Sequence, residues 1–523
     1  MKKITIIISF LIFVSAIVSS CKKQIEVTPR QSVLIEQVFT SKDNINAAIT
    51  GIYSRLKSPR LYGRDMFAVS DALSENGFAT NKSGRFINET ANVPGAHFVN
   101  WQSDYFAIAE INVLLFRIPS VSLIPAITTA ERAAWEGQLY FLRAMLYHDL
   151  ARTFSYEPGL GVPGQDRGSV PIVTFTPLTI ETAIANLPGR SSADDVYKRI
   201  YADLDSSLLR LNNNNLSSPA LPSLAAAQAL YARVALYNRD YSRAVTMSSL
   251  SLTTVLSRMT STSSYTSGWT GQVHPEALFE LRFANPAENI GVNESLQTSY
   301  TTLKDRGIPS VVQGFGDLVA TTTLLQQLGF AGIAANGSGG AFSSRSDDVR
   351  NLLFETGSTA RGTARIECTK FIGKNGQANL DNIPLIRIPE VLLTRAEARA
   401  NATNRDGSVN TGFSLTNAVA DLVVLKQNRY NSYITTQRVA DSTLGTSTNA
   451  TPIIIEILRQ RRLEFAMEGQ RWFDFKRTNV ITPAVGLLNQ INTKVLYTDF
   501  RLLAPIPQRE VDNNPNLIQN FGY

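Results

Sequence analysis

The chain has 523 residues, of which 44% are hydrophobic and 18% are charged, and its formal net charge is +7. This composition is typical of a globular protein with a sizeable core, and it excludes a disordered chain. No run of lysine and arginine reaches the length of a nucleic-acid-binding patch, so no nucleic-acid partner is expected.

The first twenty residues have the features of an export signal. Lys2 and Lys3 form a basic start, and residues 4–18 are an apolar stretch too short for a mature membrane anchor. Small residues then lead to Cys21, a pattern that resembles a bacterial lipobox in which Cys21 becomes the lipidated first residue. A simple signal peptide that happens to precede a cysteine is the alternative. A lipid anchor binds through buried methylene groups, each worth about 0.8 kcal/mol, so we expect attachment to a membrane through lipid.

The rest of the sequence predicts neither a membrane span nor a disulfide. No later stretch is long and apolar enough for a transmembrane helix. The only other cysteine is Cys368. If Cys21 carries lipid, Cys368 has no partner within the chain, and stability must come from packing.

Changes in pattern divide the chain into five segments. In order they are a signal peptide (1–20), a lipidated tether (21–40), an N-terminal helical part (41–256), a loop-rich insertion (257–384) and a C-terminal helical part (385–523). We expect the last part to pack on the core.

Apolar residues recur at helical spacing through both helical parts. The first predicted helix, 42–56, has Ser41 as its N-cap. Further helices are predicted over these ranges: 71–75, 101–118, 129–154, 193–211, 224–237, 386–400, 415–430 and 452–477. Residues 229–245 resemble a tetratricopeptide repeat, because Ala232 and Ala244 let neighbouring helices approach closely. Any antiparallel helix pair with alanines at the crossing is the alternative.

The stretch 452–477 is predicted to be one helix with a buried face. That face has four residues at helical spacing: Ile454, Leu458, Phe465 and Trp472. Charged residues three apart predict ion pairs within the helix: Arg461 with Glu464, Glu468 with Arg471, and Arg471 with Asp474. An acid/base pair of Glu464 and Glu468 is the functional alternative. Arginine neighbours argue against it, because they lower a carboxylate's pKa rather than poise it for proton transfer.

Residues 57–99 and 257–384 lack helical periodicity, apart from the short helix above and one predicted strand at 277–283. A loop-dominated insertion this long is usually functional or partly disordered. Aromatic rings on exposed loops suit carbohydrate, because a flat ring covers the apolar face of a sugar while amides and carboxylates bind its hydroxyls. The candidate ligand residues are Asp71, Asn81, Phe86, Phe98, Tyr265, Trp269 and Tyr300. Protein partners also favour such rings, and rings that pack loops onto the core are the third interpretation.

Other possible motifs for nucleotide, metal or catalytic sites lack the surrounding sequence that such sites require. Residues 159–164 satisfy G-x-G-x-x-G, but a helix precedes them and a loop follows, which is the wrong setting for a dinucleotide. His97, His148 and His274 are far apart in sequence and have no metal-ligand spacing. Neither a nucleophile elbow nor a Ser/His/Asp set can be assembled. These motifs therefore predict no cofactor and no metal-ligand residues, and whether a structural metal ion is present stays open.

Taken together, several motifs resemble the SusD/RagB family of outer-membrane lipoproteins from Bacteroidetes. They are Cys21 after the leader, F-L-R-A-M-L-Y at 141–147, I-P-L-I-R at 383–387, R-R-L-E-F-A-M-E-G-Q-R-W-F-D-F-K-R at 461–477, P-I-P-Q-R-E at 505–510 and N-P-N-L-I-Q-N-F-G-Y at 514–523. Each motif alone is weakly specific. In this order they are specific together, and they belong to the scaffold rather than to a ligand site.

The resemblance implies a mainly α fold, an α-solenoid of tetratricopeptide-like helix pairs with an irregular, ligand-facing subdomain. It also implies a surface lipoprotein of the outer membrane that captures oligosaccharide or another nutrient for a SusC-like TonB-dependent transporter, and it implies no catalysis. Lys22 and Lys23 depart from the acidic residues that often follow the cysteine in such proteins, which leaves the final leaflet open. The alternatives are a helical glycoside hydrolase and a tetratricopeptide assembly lipoprotein that binds only protein.

Overall fold

The computed structural model describes residues 35–177, 179–211, 218–478, 487–488 and 494–523. Cys21 and the leader lie outside these residues.

Within them, twelve helices have eight residues or more. They are α1 (Lys42–Leu56), α2 (Asp65–Leu73), α3 (Trp101–Arg117), α4 (Thr129–Phe154), α5 (Ala193–Arg210), α6 (Leu224–Tyr237), α7 (Tyr241–Val255), α8 (Ile388–Ala400), α9 (Leu415–Gln427), α10 (Arg438–Gly445), α11 (Ala450–Glu464) and α12 (Arg471–Thr478). Shorter helices span Ile35–Val38, Ile87–Thr90, Ile180–Ala185, Tyr265–Gly268, Leu296–Tyr300, Thr322–Gln327, Tyr433–Thr436 and Gln508–Asn513.

The strands are short and pair two by two. They are β1 (Gly77–Ala79), β2 (Ala277–Leu281), β3 (Leu318–Ala320), β4 (Phe330–Ala331), β5 (Ser344–Arg345), β6 (Phe354–Thr356), β7 (Ile366–Cys368), β8 (Ile383–Arg387), β9 (Leu487–Leu488) and β10 (Lys494–Val495). The antiparallel pairs are β1 with β3, β2 with β8, β4 with β5, β6 with β7 and β9 with β10.

The helices pack as neighbouring pairs, which confirms the predicted mainly α, tetratricopeptide-like fold. Helix α4 packs on α3 and α5, α6 packs on α7, and α8 packs on both α7 and α9. Ala235, Ala244 and Ala398 are fully buried where α6, α7 and α8 meet. Their small side chains allow the close approach that the repeat motif predicts.

Several predicted bounds match the observed helices. Helices α4 and α6 span the predicted ranges, and α1 begins after Ser41, whose side chain accepts a hydrogen bond from the Asn44 backbone N–H. Helix α2 ends at Leu73, so the helix predicted at 71–75 lies earlier in the chain. The caps and periodicity of these helices are local, which is why the sequence reveals them.

The single helix predicted at 452–477 is wrong, because the chain breaks between α11 and α12. Met467 and Gly469 have φ values of 61° and 73°, in the left-handed region. A Cβ atom at Gly469 would lie 2.6 Å from the Met66 carbonyl oxygen. The close approach of α2 therefore requires glycine here, and the turn it forms ends the first helix.

The ion pairs predicted inside that helix are also wrong, since its charges pair with other elements. Four cations and four carboxylates form a buried ion network where the insertion meets the C-terminal helices: Arg350, Lys370, Arg387, Arg429, Glu276, Asp348, Glu464 and Glu468. Arg461 bonds Asp474 at 3.0 Å, and Arg471 bonds Glu75. Glu468 lies in the turn between α11 and α12, so it does not share a helix with Arg471. Arg471 and Asp474 both lie in α12, but Arg471 bonds Glu75 while Asp474 bonds Arg461 and Arg477.

Candidate functional site

The two regions predicted to be loops meet where β1 pairs with β3. Gly77, Phe78 and Ala79 lie opposite Ala320, Val319 and Leu318. Beyond β1, the Thr80 backbone N–H donates to the Asp317 carbonyl oxygen at 2.8 Å. Residues far apart in sequence thus form one surface, which we call the β1–β3 surface and define by six residues: Phe78, Asn81, Arg85, Phe315, Arg361 and Arg365.

Two partly exposed phenylalanines carry the apolar part of this surface, and arginines stand over both. The Arg361 and Arg85 guanidinium carbons lie 4.5 and 5.4 Å from the centre of the Phe315 ring. The Arg365 guanidinium carbon lies 5.2 Å from the centre of the Phe78 ring. The result is a pair of flat rings beside several N–H donors.

Asp317 fixes the loop that carries Asn81 and Arg85. The buried Asp317 carboxylate accepts hydrogen bonds from the Ser83 backbone N–H at 3.1 Å, the Ser83 hydroxyl at 2.6 Å and Arg85 at 2.9 Å. Asn81 has φ of 59° and an exposed side chain. The loop is therefore held from below while its amide faces outward.

Glu367 fixes the opposite side of the surface in the same way. Its buried carboxylate accepts from the Thr302 N–H at 2.6 Å, the Thr302 hydroxyl at 2.7 Å and Lys82 at 3.2 Å. Burial raises the pKa of Glu367, and Lys82 and Thr302 offset part of that rise. Both carboxylates beneath the surface, Asp317 and Glu367, thus accept hydrogen bonds from donors within the protein.

Six of the seven predicted ligand residues are buried, so the expectation that they are exposed on loops is wrong for them. They are Asp71, Phe86, Phe98, Tyr265, Trp269 and Tyr300. Asn81 is exposed, and its role in binding stays a prediction. The loops fold as a layer on the core and their rings point inward, which corresponds to the third interpretation of these aromatics.

The neighbours of these rings explain their burial. Phe98 stacks on Phe473 at 5.2 Å between ring centres, and Trp269 lies 5.9 Å from Phe371. Arg429 of the buried ion network lies 4.4 Å above the Tyr265 ring. None of these rings presents a face on which a sugar could stack.

Asp71 is also buried, and its hydrogen bonds stabilise the fold. Its carboxylate accepts hydrogen bonds from the Gly469 N–H at 3.0 Å and the Asn76 side chain at 3.3 Å. Burial raises its pKa to about 7, and these two bonds offset part of the effect. Asp71 therefore helps to hold the turn between α11 and α12.

Sequence reasoning missed Phe78, Phe315, Arg361 and Arg365 as candidates. Two arginines spaced four apart in the Gly/Ser/Thr-rich stretch 357–365 are the signal that was available. The exposure of the two rings depends on the β1–β3 pairing, which joins segments some 240 residues apart and leaves no local pattern.

A second surface, the α3 face, exposes Phe106, Phe116 and Phe175. These side chains are 51%, 75% and 47% exposed. A cleft of about 330 Å³ contains Phe116, Phe175 and Tyr140, and an adjoining cleft of about 570 Å³ contains Phe39. Exposed rings grouped around connected clefts are typical of interaction surfaces.

The described residues contain neither a candidate membrane span nor a candidate metal site. No helix among them combines the length and apolar character needed to cross a bilayer. In the same part of the chain, no group of three His, Cys, Asp or Glu side chains is placed to hold a metal ion. Cys368 is a buried free thiol, and burial raises its pKa to about 12.

The fold and surfaces define a class: a helical, tetratricopeptide-like protein with a loop-built surface at one junction. Residues 347–523 match the model of the SusD family, and residues 24–236 match a related model described as "Starch-binding associating with outer membrane". The chain belongs to the SusD/RagB family, as its motifs predict.

Relatives and solved structures agree with this assignment. SusD-like protein P38 of Formosa agariphila is 23% identical, with 100% of both chains aligned, and SusD-like protein P2 of the same organism is 24% identical over 99% of this chain and 98% of its own. A SusD superfamily structure from Bacteroides thetaiotaomicron superposes with a TM-score of 0.71 at 23% identity, covering 91% of this chain and 99% of that one. A SusD-like carbohydrate binding protein from Bacteroides vulgatus gives 0.68 at 19% identity, covering 91% and 97%.

Proposed function

We propose that this protein binds oligosaccharide on the β1–β3 surface and passes it to a SusC-like TonB-dependent transporter of the outer membrane. The observation that carries the proposal is the pair of partly exposed rings, Phe78 and Phe315, with an arginine over each and the exposed Asn81 three residues after Phe78. Rings cover the apolar face of a sugar, and amide and guanidinium groups bind its oxygens. The starch-binding description of the matching family model supports the same ligand class.

The binding is reversible and leaves the ligand's bonds intact. A glycoside hydrolase uses two carboxylates that flank the scissile bond, one of them able to donate a proton. Asp317 and Glu367, the carboxylates beneath this surface, are buried and accept hydrogen bonds from Ser83, Arg85, Lys82 and Thr302. That arrangement supports a binding protein rather than a hydrolase.

The transporter contacts the α3 face in this proposal. Val38 and Phe39, near the start of the described chain, line a cleft of this face together with Glu110 and Val113. A lipid on Cys21 would hold Ile35 within about 50 Å of the membrane, since extended chain spans about 3.3–3.6 Å per residue. The tether therefore keeps this apolar face close to membrane-embedded proteins.

Calorimetric titration of the leader-free protein against a panel of oligosaccharides tests the ligand. Phe315→Ala should weaken binding about tenfold, because stacking that buries about 50 Å² of ring is worth about 1.3 kcal/mol. Phe521→Ala is a matched control, since Phe521 is 43% exposed and lies beneath Arg167 in a separate ring–arginine pair. If no oligosaccharide binds, or both variants lose affinity equally, the proposed site is wrong.

A further inference from the structure

The β1–β3 surface has more positive than negative charge. Four cations surround the rings: Lys82, Arg85, Arg361 and Arg365. Lys82 is paired with Glu367 at 3.2 Å and Arg85 with Asp317 at 2.9 Å. Arg361 and Arg365 form no salt bridge with any carboxylate in the described ranges, so two positive charges face the ring surface uncompensated.

Arg365 is the more unusual of the two because it is half-buried. Its Nε atom is shielded from solvent and has no hydrogen-bond acceptor among the residues that the structure describes. Burial lowers the pKa of its guanidinium group, with no carboxylate to offset the effect. A partly desolvated cation without a partner costs free energy that a bound anion would recover.

Two ring–arginine pairs elsewhere in the protein differ in this respect. Arg345 lies 5.0 Å from the Phe330 ring centre and donates to the Asn351 and Phe354 carbonyl oxygens. Arg429, above Tyr265, bonds carboxylates of the buried ion network. In both pairs the arginine donates to protein oxygens, whereas Arg365 forms no side-chain hydrogen bond or salt bridge with any residue that the structure describes.

The loop that carries the two arginines is held in place. The Gly357 N–H donates to the Arg365 carbonyl oxygen at 2.8 Å, and the Ser358 N–H donates to the Thr302 hydroxyl at 2.8 Å. Thr302 in turn bonds Glu367 beneath the surface. Donors held in advance lose little entropy when a ligand binds.

We propose, building on the function proposed above, that the oligosaccharide is anionic, with carboxylate or sulfate groups that bind Arg361 and Arg365 while its sugar rings stack on Phe315 and Phe78. A guanidinium group packed over a ring keeps its N–H edge free for such oxygens, and the planar fork matches a carboxylate or sulfate in two bonds. A neutral glycan would leave both positive charges unpaired.

Matched glycans that differ in charge test this inference. Binding of the leader-free protein is measured at physiological ionic strength to dextran and dextran sulfate, and to methyl-esterified and de-esterified polygalacturonate. We expect the charged member of at least one pair to bind at least about tenfold more tightly. A preference for only dextran sulfate would identify sulfate as the bound group, and a preference for only de-esterified polygalacturonate would identify carboxylate. Either result supports the inference.

Arginine variants show whether the charge is recognised at this surface. Arg361→Gln and Arg365→Gln should each weaken binding of the charged glycan about tenfold or more, and Arg361→Lys should recover only part of the loss because lysine lacks the planar fork. Arg167→Gln is the matched control, since Arg167 also lies over an exposed phenylalanine. Unchanged melting temperatures exclude misfolding as the cause.

Three results would overturn the inference. If Arg167→Gln weakens binding as much as Arg361→Gln, the attraction is general rather than local. If neutral glycans bind equally well and only Phe315→Ala weakens them, the ligand is neutral while the proposed function stands. If no glycan binds, the proposed function fails first and this inference fails with it.

Discussion

Replacing Glu464 with glutamine should destabilise the protein strongly, because it removes one charge from a balanced buried network. Glu464 is fully buried and bonds Arg429 at 2.9 Å and Arg387 at 3.0 Å. Burial alone would raise its pKa, but these two guanidinium groups outweigh burial and hold the pKa below its ordinary value. Glu464→Gln keeps the shape of the side chain and leaves an excess positive charge in the network.

The expected magnitude follows from the burial of both partners. Removing one member of a buried ion pair costs about 3 to 5 kcal/mol. The unfolding entropy of a chain of this size is about 1 kcal/mol/K, so the melting midpoint should fall by about 3 to 5 °C. Thermal unfolding of the leader-free protein at neutral pH, followed by calorimetry, measures the shift. Asp195→Asn is the control, since Asp195 and Lys198 form an exposed pair, and it should move the midpoint far less.

The pH dependence gives a second check on the same residue. Because the folded-state pKa of Glu464 is lowered, its stabilisation is present above the unfolded-state pKa and is lost as pH falls through the folded-state value. The difference in midpoint between the wild type and Glu464→Gln should therefore shrink in strong acid. A Glu464→Gln midpoint that matches the control at neutral pH would refute the reasoning that this carboxylate balances the network.

Three further predictions address other parts of the molecule. Phe116→Asp should abolish co-purification of the full-length protein with a large outer-membrane channel from detergent extracts, with glycan affinity unchanged; persistent co-purification would remove Phe116 from the proposed contact. Gly469→Ala should destabilise by about 1 to 3 kcal/mol in chemical unfolding, because the added Cβ meets the Met66 carbonyl oxygen and a positive φ disfavours alanine. Asp71 has a pKa raised to about 7, so its stabilisation is present below the unfolded-state pKa and is lost as pH rises through about 7. Asp71→Asn should remove that pH-dependent loss of stability. Stability curves for the two proteins that run parallel between weakly acidic and neutral pH would contradict this prediction.

The sequence predicts the helices well where the determinants are local. Helix α4 begins after the capping pair of Thr128 and Glu131, and its bounds match the predicted range. The break between α11 and α12 could not be predicted in the same way, because the backbone of α2 at Met66 and Phe67 approaches Gly469 from a distant part of the chain. The short helix Gln508–Asn513 lies outside every predicted helix range because prolines stand on both sides of it, and Pro507 is its N-cap.

The candidate site was predicted less well, since exposure is a property of tertiary packing. Trp269 and Phe315 both lie in a polar, glycine-rich stretch and look alike in the sequence. In the structure, Trp269 packs against Phe371 and is fully buried. The Phe315 backbone N–H donates to the Thr298 carbonyl oxygen, and its side chain remains partly exposed. Ring type and loop location thus identify the region, but the choice of ring requires the fold.

One segment, β7 and the two residues after it, connects the candidate site to the buried ion network. Glu367, in β7, lies beneath the β1–β3 surface and bonds Thr302 and Lys82. Three residues later, Lys370 bonds Glu468 and the Glu464 and Ala466 carbonyl oxygens. Hydrogen bonds between charged groups are directional, unlike apolar contacts, so they fix the strand in one position relative to the helices. The arginines and rings above this strand are thereby held by the helical scaffold, although they lie on loops.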